Sequence, residues 1–419
     1  MRHIRFLGGS RINVLRLGWL QKRIVLLLSA TILVGIVSAS EPTPSPRPEP
    51  RFKISGWIDS GVTFNPDSPQ SNQNFGRLFD DRANEPLLNQ IVINFERTLV
   101  PEPGEFDWGF KLQFMYGSDA RFIHSLGLFD RTAHEILQPD LVEAYLNLHF
   151  PVMTEGGFDL KLGKFVTLEG AEVIDPRTNF FYSHTYIFNF GIPFNHTGAL
   201  ATFHASKLLD LYAGITRGVN TSIEDNNDSP AFDGGVGLNL LDGKLTALAS
   251  THIGPETPND NRHNRYLNDL TITAKPAKNL TSITDLNYIY DEAAEATGYG
   301  VAQYFIYTIN DVFSIGVRGE IWRDADAFYV ASFAENDDAA DLLRGGSVTV
   351  DPRTVGGGKT TYGAVTLGLN IKPPVPKPAA SLVIRPELRF DRALNGTRPF
   401  NDSSDSNQFT AGIDVIITF

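Results

Sequence analysis

The chain has 419 residues, with 36 basic side chains, 48 acidic ones and no cysteine. The missing cysteines exclude a disulfide scaffold, cysteine-ligated zinc and thiol catalysis. A net charge of −12 speaks against a nucleic-acid partner, which would call for a basic patch. Only 20% of the residues are charged, 37 are glycine and 29 phenylalanine, and no long apolar run follows the first forty residues. A bundle of membrane-spanning helices is therefore excluded as well.

The N-terminus reads as an address label. Residues 1–23 hold Arg2, Arg5, Arg11, Arg16, Lys22 and Arg23 and no acid. Ile24 to Val37 is then an unbroken run of apolar or small residues, followed by Ser38, Ala39 and Ser40. A basic segment, a short apolar segment and a small-residue site make a secretory signal peptide over 1–40. The apolar run is short for a membrane anchor, which takes about 20 residues. Its removal would leave 30 basic residues against 48 acidic ones, about −18. Residues 41–50 carry proline at nearly every second position and read as an extended linker.

From Arg51 onward the apolar period is two. Phe106, Trp108, Phe110, Leu112, Phe114 and Tyr116 alternate with Asp107, Gly109, Lys111, Gln113 and Met115. Alternation over eleven residues outlasts the usual soluble strand of about 5–6 and suits a tilted strand crossing a bilayer. The spacing predicts sixteen strands: 51–64, 87–99, 105–117, 140–150, 157–166, 196–206, 208–218, 231–241, 244–253, 266–275, 279–290, 299–309, 313–323, 359–371, 381–391 and 407–419. Connections after even strands are short turns, and those after odd strands are long. The fold class that follows is all-β: residues 51–419 form a closed antiparallel transmembrane β-barrel with short periplasmic turns and long extracellular loops. A closed barrel pairs every backbone N–H and C=O without an edge, and sixteen strands enclose a lumen too wide for wall side chains to fill.

Mid-strand charge falls on the polar face. Lys111, Glu143, Lys161, Arg318, Glu320, Arg385, Glu387, Arg389 and Asp391 are thus candidate pore-lining residues, since a cation on the lipid face costs about 2–4 kcal/mol. Two roles stay open for them: a transverse field that filters solutes, or a cross-strand salt-bridge ladder that stiffens the wall. The loop 167–195 is rich in Phe and Tyr and must pack on something. One option is the lumen, where Glu169, Glu172, Asp175, Arg177 and His184 would line a constriction. The other is the rim or a neighbouring subunit. A weak cation preference is expected: with the loop inside, its acids make the narrow point acidic, and with it outside the mouth still attracts cations, with selectivity that fades as salt rises. Loop 324–358, with Asp324, Asp326, Glu335, Asp337, Asp338 and Asp341, reads as an acidic surface loop.

Several stretches together resemble the OmpL-like β-barrel porin family. They are Gly163–Thr167 with Gly170 and Glu172, Asn179–Ser183, Pro193–Gly198, Arg318–Asp324 and Arg385–Asp391. The resemblance covers about 52–419 and implies an outer-membrane channel. It supplies no catalytic residues.

Other motifs carry little. Val355–Thr360 imitates the tail of a phosphate-binding loop, but Arg353 stands where the motif needs glycine. Nine histidines are scattered without metal-ligand spacing, so no metal and no cofactor is expected. The expected partners are outer-membrane lipid and small hydrophilic solutes and ions, with no nucleic acid. A homo-oligomer stays open. Two alternatives to a passive pore are an outer-membrane lipid hydrolase or protease, and a structural or adhesive barrel with a plugged lumen.

Overall fold

The computed structural model describes residues 51–102, 104–131, 135–330, 343–346 and 358–419. The signal peptide over 1–40, the linker over 41–50, most of the acidic loop 324–358 and Val355–Gly357 lie outside the described residues. No helix among the described residues is long and apolar enough to cross a membrane.

Sixteen strands close one antiparallel barrel in chain order. The first five are β1 Phe52–Phe64, β2 Pro86–Arg97, β3 Asp107–Gly117, β4 Gln138–Phe150 and β5 Phe158–Val166. Then come β6 Asn195–Ser206, β7 Leu209–Thr216, β8 Ala231–Leu240, β9 Leu245–Pro255 and β10 Asn264–Ala277. The rest are β11 Leu280–Asp291, β12 Ala296–Thr308, β13 Phe313–Asp324, β14 Thr360–Ile371, β15 Ser381–Ala393 and β16 Asn407–Thr418. β16 returns to β1, with Trp57 opposite Thr418, so the sheet has no free edge.

The alternation read from the sequence sets the two faces. On β3, Trp108, Leu112, Phe114 and Tyr116 are exposed, while Asp107, Gly109, Gln113 and Met115 are buried. On β13, Phe313, Ile315, Val317 and Ile321 point out, and Arg318, Glu320 and Trp322 point in. An outer belt of exposed Phe, Leu, Ile, Val and Tyr runs along most strands. Apolar area on this scale is uncommon on a monomer bathed in water.

Turns at one end are tight, such as 207–208, 241–244 and 278–279, and links at the other end include 65–85, 118–137 and 167–194. One link departs from the expected pattern. β11 and β12 extend toward each other until Asp291 pairs with Ala296, leaving 292–295 as a tight turn in which Glu295 takes a φ of +50°. The loop expected over 291–298 is absorbed into the ladder.

The long loops do not simply splay outward. Phe79 from 65–85, Phe122 from 118–137 and Phe188 from 167–194 meet, with Phe79 5.3 Å from Phe188 and 6.0 Å from Phe122 between ring centres. Phe194 joins at 5.2 Å from Phe188. These rings are buried, and they form an apolar core at the long-loop end. Removing them from water at roughly 25 cal/mol per Å² of apolar surface is what holds three otherwise independent loops together.

Candidate functional site

The segment 167–194 lies against the inner wall, and the wall supplies the hydrogen bonds its backbone needs. A chain taken away from water must pair its N–H and C=O groups. Carboxylates of the wall accept its amides: Asp269 from Gly170 at 3.1 Å, Asp285 from Ala171 at 3.1 Å, Glu387 from Tyr182 at 2.9 Å, and Glu320 from Tyr186 at 2.7 Å. Arginines of the wall donate to its carbonyls. Arg385 Nη1 alone donates to Pro176, Asn179 and Phe181 at 2.8, 2.8 and 3.0 Å. Asn287 Nδ2 reaches Gly191 O at 3.1 Å. The segment thus spans from β10 and β11 to β13 and β15.

Its aromatic run finds seats made by glycines. Gly316, Gly368 and Gly412 lie in one cross-strand row with Glu387, on β13, β14, β16 and β15. A Cβ at Gly316 would collide with Phe180, one at Gly368 would lie 2.9 Å from Phe181, and one at Gly61 2.5 Å from Tyr182. Three consecutive rings therefore lie where the wall has no side chains.

One ion pair sits at the centre. Arg318 on β13 donates from Nη1 to Glu172 Oε1 at 2.6 Å and to Ser183 O at 2.7 Å. Its Nη2 donates to Ser183 Oγ at 3.0 Å and Thr366 Oγ1 at 3.1 Å. Glu172 also accepts from Tyr304 OH at 3.0 Å and Thr185 N at 2.9 Å, and it meets His184 Nδ1 at 3.1 Å. Burial alone would raise the Glu172 carboxyl; Arg318 and His184 outweigh it and hold it well below the usual carboxylate range. A second cluster joins Arg389, Glu320, Asp391 and Arg77. Arg389 lies 3.1 Å from Glu320 and 2.8 Å from Asp391, and Arg77 of loop 65–85 lies 2.6 Å from Asp391.

The candidate residues read from the sequence therefore divide. Arg318, Glu320, Arg385, Glu387, Arg389 and Asp391 all face inward, yet each is buried. The inserted loops cover them, so they line no open water. To the two roles considered for them the structure adds a third, anchoring the loop, and the cross-strand role persists at Arg385, which pairs with Asp414 directly opposite on β16. Lys111 stays partly exposed beside Glu143, with which it forms an ion pair, and Lys161 lies half-buried with its Nζ 4.8 Å from the Tyr145 ring. Within the loop, Glu172 and His184 are buried in the anchor. Glu169 is buried as well, and burial, reinforced by Asp269 and Asp233 against His252, pushes its carboxyl up to about 8. Asp175 and Arg177 stay partly exposed and pair bidentately at 2.6 and 2.9 Å, with the Arg177 guanidinium 3.9 Å over Trp57.

A cavity of about 310 Å³ remains beside the end of the segment, lined by Phe190, Ile192, Phe194, Glu256, Arg265 and Tyr329 among others.

Histidines scattered in the sequence converge with a carboxylate in the fold. His196 on β6, Asp233 on β8 and His252 on β9 converge, with their ligand atoms within 4.8 Å of one another. They are far apart in sequence, and strand register alone brings them together. Asp81, paired with Arg121 at 2.8 Å, and Arg77 were likewise missed, because both act across loops.

Fold comparison agrees with this architecture. Solved structures of the outer-membrane channel DcaP of Acinetobacter baumannii (11% identity, TM-score 0.51) and of Pseudomonas putida OprB (13%, 0.52) each cover 88% of this chain. The matches take in 97% and 94% of those chains. An anion-selective porin from Comamonas acidovorans matches at 9% identity and TM-score 0.53, over 88% of this chain and 99% of its own. No curated protein sequence matches the chain. A family model described as "Putative beta-barrel porin-2, OmpL-like" matches residues 51–419. With its entire barrel inside that match, the chain belongs to the OmpL-like β-barrel porin family.

Proposed function

We propose that the protein is a narrowed outer-membrane pore, exported by its signal peptide, through which small hydrophilic solutes and ions diffuse. The exposed apolar belt meets lipid, and the long loops lie outside the cell. The observation that carries the reading is the segment 167–194, tied to the inner wall by Arg318, Arg385, Glu320 and Glu387. A loop held this firmly sets a fixed narrow section, and pore diameter together with lining charge sets selectivity.

The charge left on the water path is mixed. Lys53, Lys161 and Arg177 stand against Glu96 and Asp175, Lys111 is paired with the buried Glu143, and Glu172 is neutralised by Arg318. The acid surplus that would favour cations is thus withdrawn into the anchor. Selectivity between K⁺ and Cl⁻ is then small.

The apolar core at the long-loop end favours one second reading, a barrel closed by its own loops. Ser250, which lines a cavity with His196 and Asp233, has no hydrogen-bond partner at Oγ, so the serine–histidine bond of a hydrolase finds no support there. Planar-bilayer recording separates the two barrel readings. Stable ohmic steps with a reversal potential close to zero in a KCl gradient support the narrow pore. Insertion without conductance supports the closed barrel.

A further inference from the structure

We infer that His196, Asp233, His252 and Glu169 form a site for one divalent first-row transition ion of the Zn²⁺ class, which would join the inserted loop to the barrel wall. Three ligands come from the wall, on β6, β8 and β9. The fourth comes from the first turn of the loop.

The distances within the wall suit three corners of a four-coordinate ion, and Glu169, whose oxygens lie outside the 4.8 Å cluster of the other three, would close the fourth on binding. Metal–nitrogen and metal–oxygen bonds of about 2.0–2.2 Å at tetrahedral angles place ligand atoms about 3.3 Å apart. Asp233 Oδ1 lies 2.9 Å from His252 Nδ1 and 3.5 Å from His196 Nε2. The imidazole ring centres are 5.1 Å apart, and one nitrogen of each ring faces the same Asp233 oxygen.

The surroundings are those of a ligand set. A ligating histidine normally has its other ring nitrogen fixed by a carboxylate or a carbonyl. His196 Nδ1 meets Gly218 O at 3.2 Å, and His252 Nε2 meets Glu256 Oε1 at 2.7 Å. Glu256 is itself held by Val219 N at 2.9 Å, and Asp233 Oδ2 accepts from Thr216 Oγ1 at 2.6 Å. Each nitrogen facing Asp233 is therefore the one left for a metal.

Glu169 supplies the independent observation. It is 3% exposed, and neither of its oxygens has a hydrogen-bond partner. Buried carboxylates are normally satisfied. It lines, with His196, Asp233 and Ser250, a cavity of about 10 Å³ measured to the centre of a water-sized sphere, room for about one such sphere. Nitrogen donors select Zn²⁺, Co²⁺ or Ni²⁺ over Ca²⁺ or Mg²⁺.

The test uses the tag-free, refolded full barrel, stripped with chelator and titrated with Co²⁺ and with Zn²⁺. One Co²⁺ per chain with the intense visible bands of four-coordinate cobalt, displaced by Zn²⁺, is the expected result. Glu169→Gln should keep the barrel fold, read by heat-modifiable gel mobility, and lose the four-coordinate spectrum. Glu256→Gln should weaken binding about 10–100-fold. His263→Ala, which removes the exposed pair with Asp260, should change nothing. Absence of Co²⁺ uptake by the folded barrel would overturn the site. So would uptake that survives Glu169→Gln with an unchanged spectrum, or uptake abolished by His263→Ala.

Discussion

Replacing Arg318 by Met should release the inserted loop while leaving the barrel closed. Arg318 makes four hydrogen bonds, three of them to the loop through Glu172 and Ser183. Met keeps much of the side-chain volume but leaves Glu172 buried with only Tyr304, Thr185 and His184 about it. Removing one partner of a buried ion pair costs about 3–5 kcal/mol. At about 1.4 kcal/mol per tenfold, the equilibrium between docked and released loop shifts by about two to three and a half orders of magnitude. The backbone ladder from β12 to β14 does not involve the guanidinium, so heat-modifiable mobility should persist. Single-channel conductance should rise, with added open-channel noise, and protease should cut within 167–194. Arg318→Lys should fall between, since one ammonium cannot serve Glu172, Ser183 and Thr366 together. Unchanged conductance and unchanged protease resistance in Arg318→Met would refute the anchoring role.

Three further outcomes are expected. Gly316→Val places a side chain where Phe180 sits, and it should raise conductance noise much as Arg318→Met does; an unaltered trace would show that the glycine row is no seat. Lys161→Glu reverses a half-buried cation of the open wall, and should move the reversal potential toward cation preference, whereas Arg389→Gln, fully covered, should not act through the field of the lumen. Asp119 in loop 118–137 is pushed up to about 7 by burial, against hydrogen bonds from Asn89 and Gln90. Its folded value exceeds the unfolded one of about 3.9, so the folded state holds the extra proton. Stability therefore falls as pH rises from about 4 to 7, by about 4 kcal/mol in all; thermal midpoints against pH should flatten in that window in Asp119→Asn, and an identical slope would remove Asp119 as the cause.

The barrel was legible in the sequence because its determinants are local. A period of two, a change of face at every residue and turn residues between the runs fix each strand, and all sixteen lie within three residues of their expected ends. The inward assignment of Arg318, Glu320, Arg385, Glu387, Arg389 and Asp391 followed from the same parity. Their burial did not, because parity says which face a side chain takes and nothing about what covers that face. The aromatic excess of 167–195 showed that this loop needed a partner. The partner, a row of glycines at Gly316, Gly368 and Gly412, appears only once four strands are in register. The histidine cluster was hidden for the same reason: β6, β8 and β9 must be aligned before His196, Asp233 and His252 meet.

The wall of this barrel serves two solvents and one ligand. Outward it offers apolar side chains at every second position, as hydrocarbon requires. Inward, between β3 and β5, it keeps charge in water at Lys111 and Lys161. Inward from β10 to β16 the ligand is the protein's own loop. There the arginines do what water would do for a loop outside, donating to carbonyls that would otherwise be buried unpaired. Arg385 reaches three loop carbonyls with one Nη1 and still pairs through its other nitrogens with Asp414. This explains why the acid and base of β13 and β15 alternate along the strand. Arginines meet loop carbonyls, glutamates meet loop amides, and each sign stabilises its neighbour across the sheet. On the proposed reading as a pore, charge that would otherwise set ion preference is consumed in holding the loop, and selectivity falls to the few residues the loop leaves uncovered.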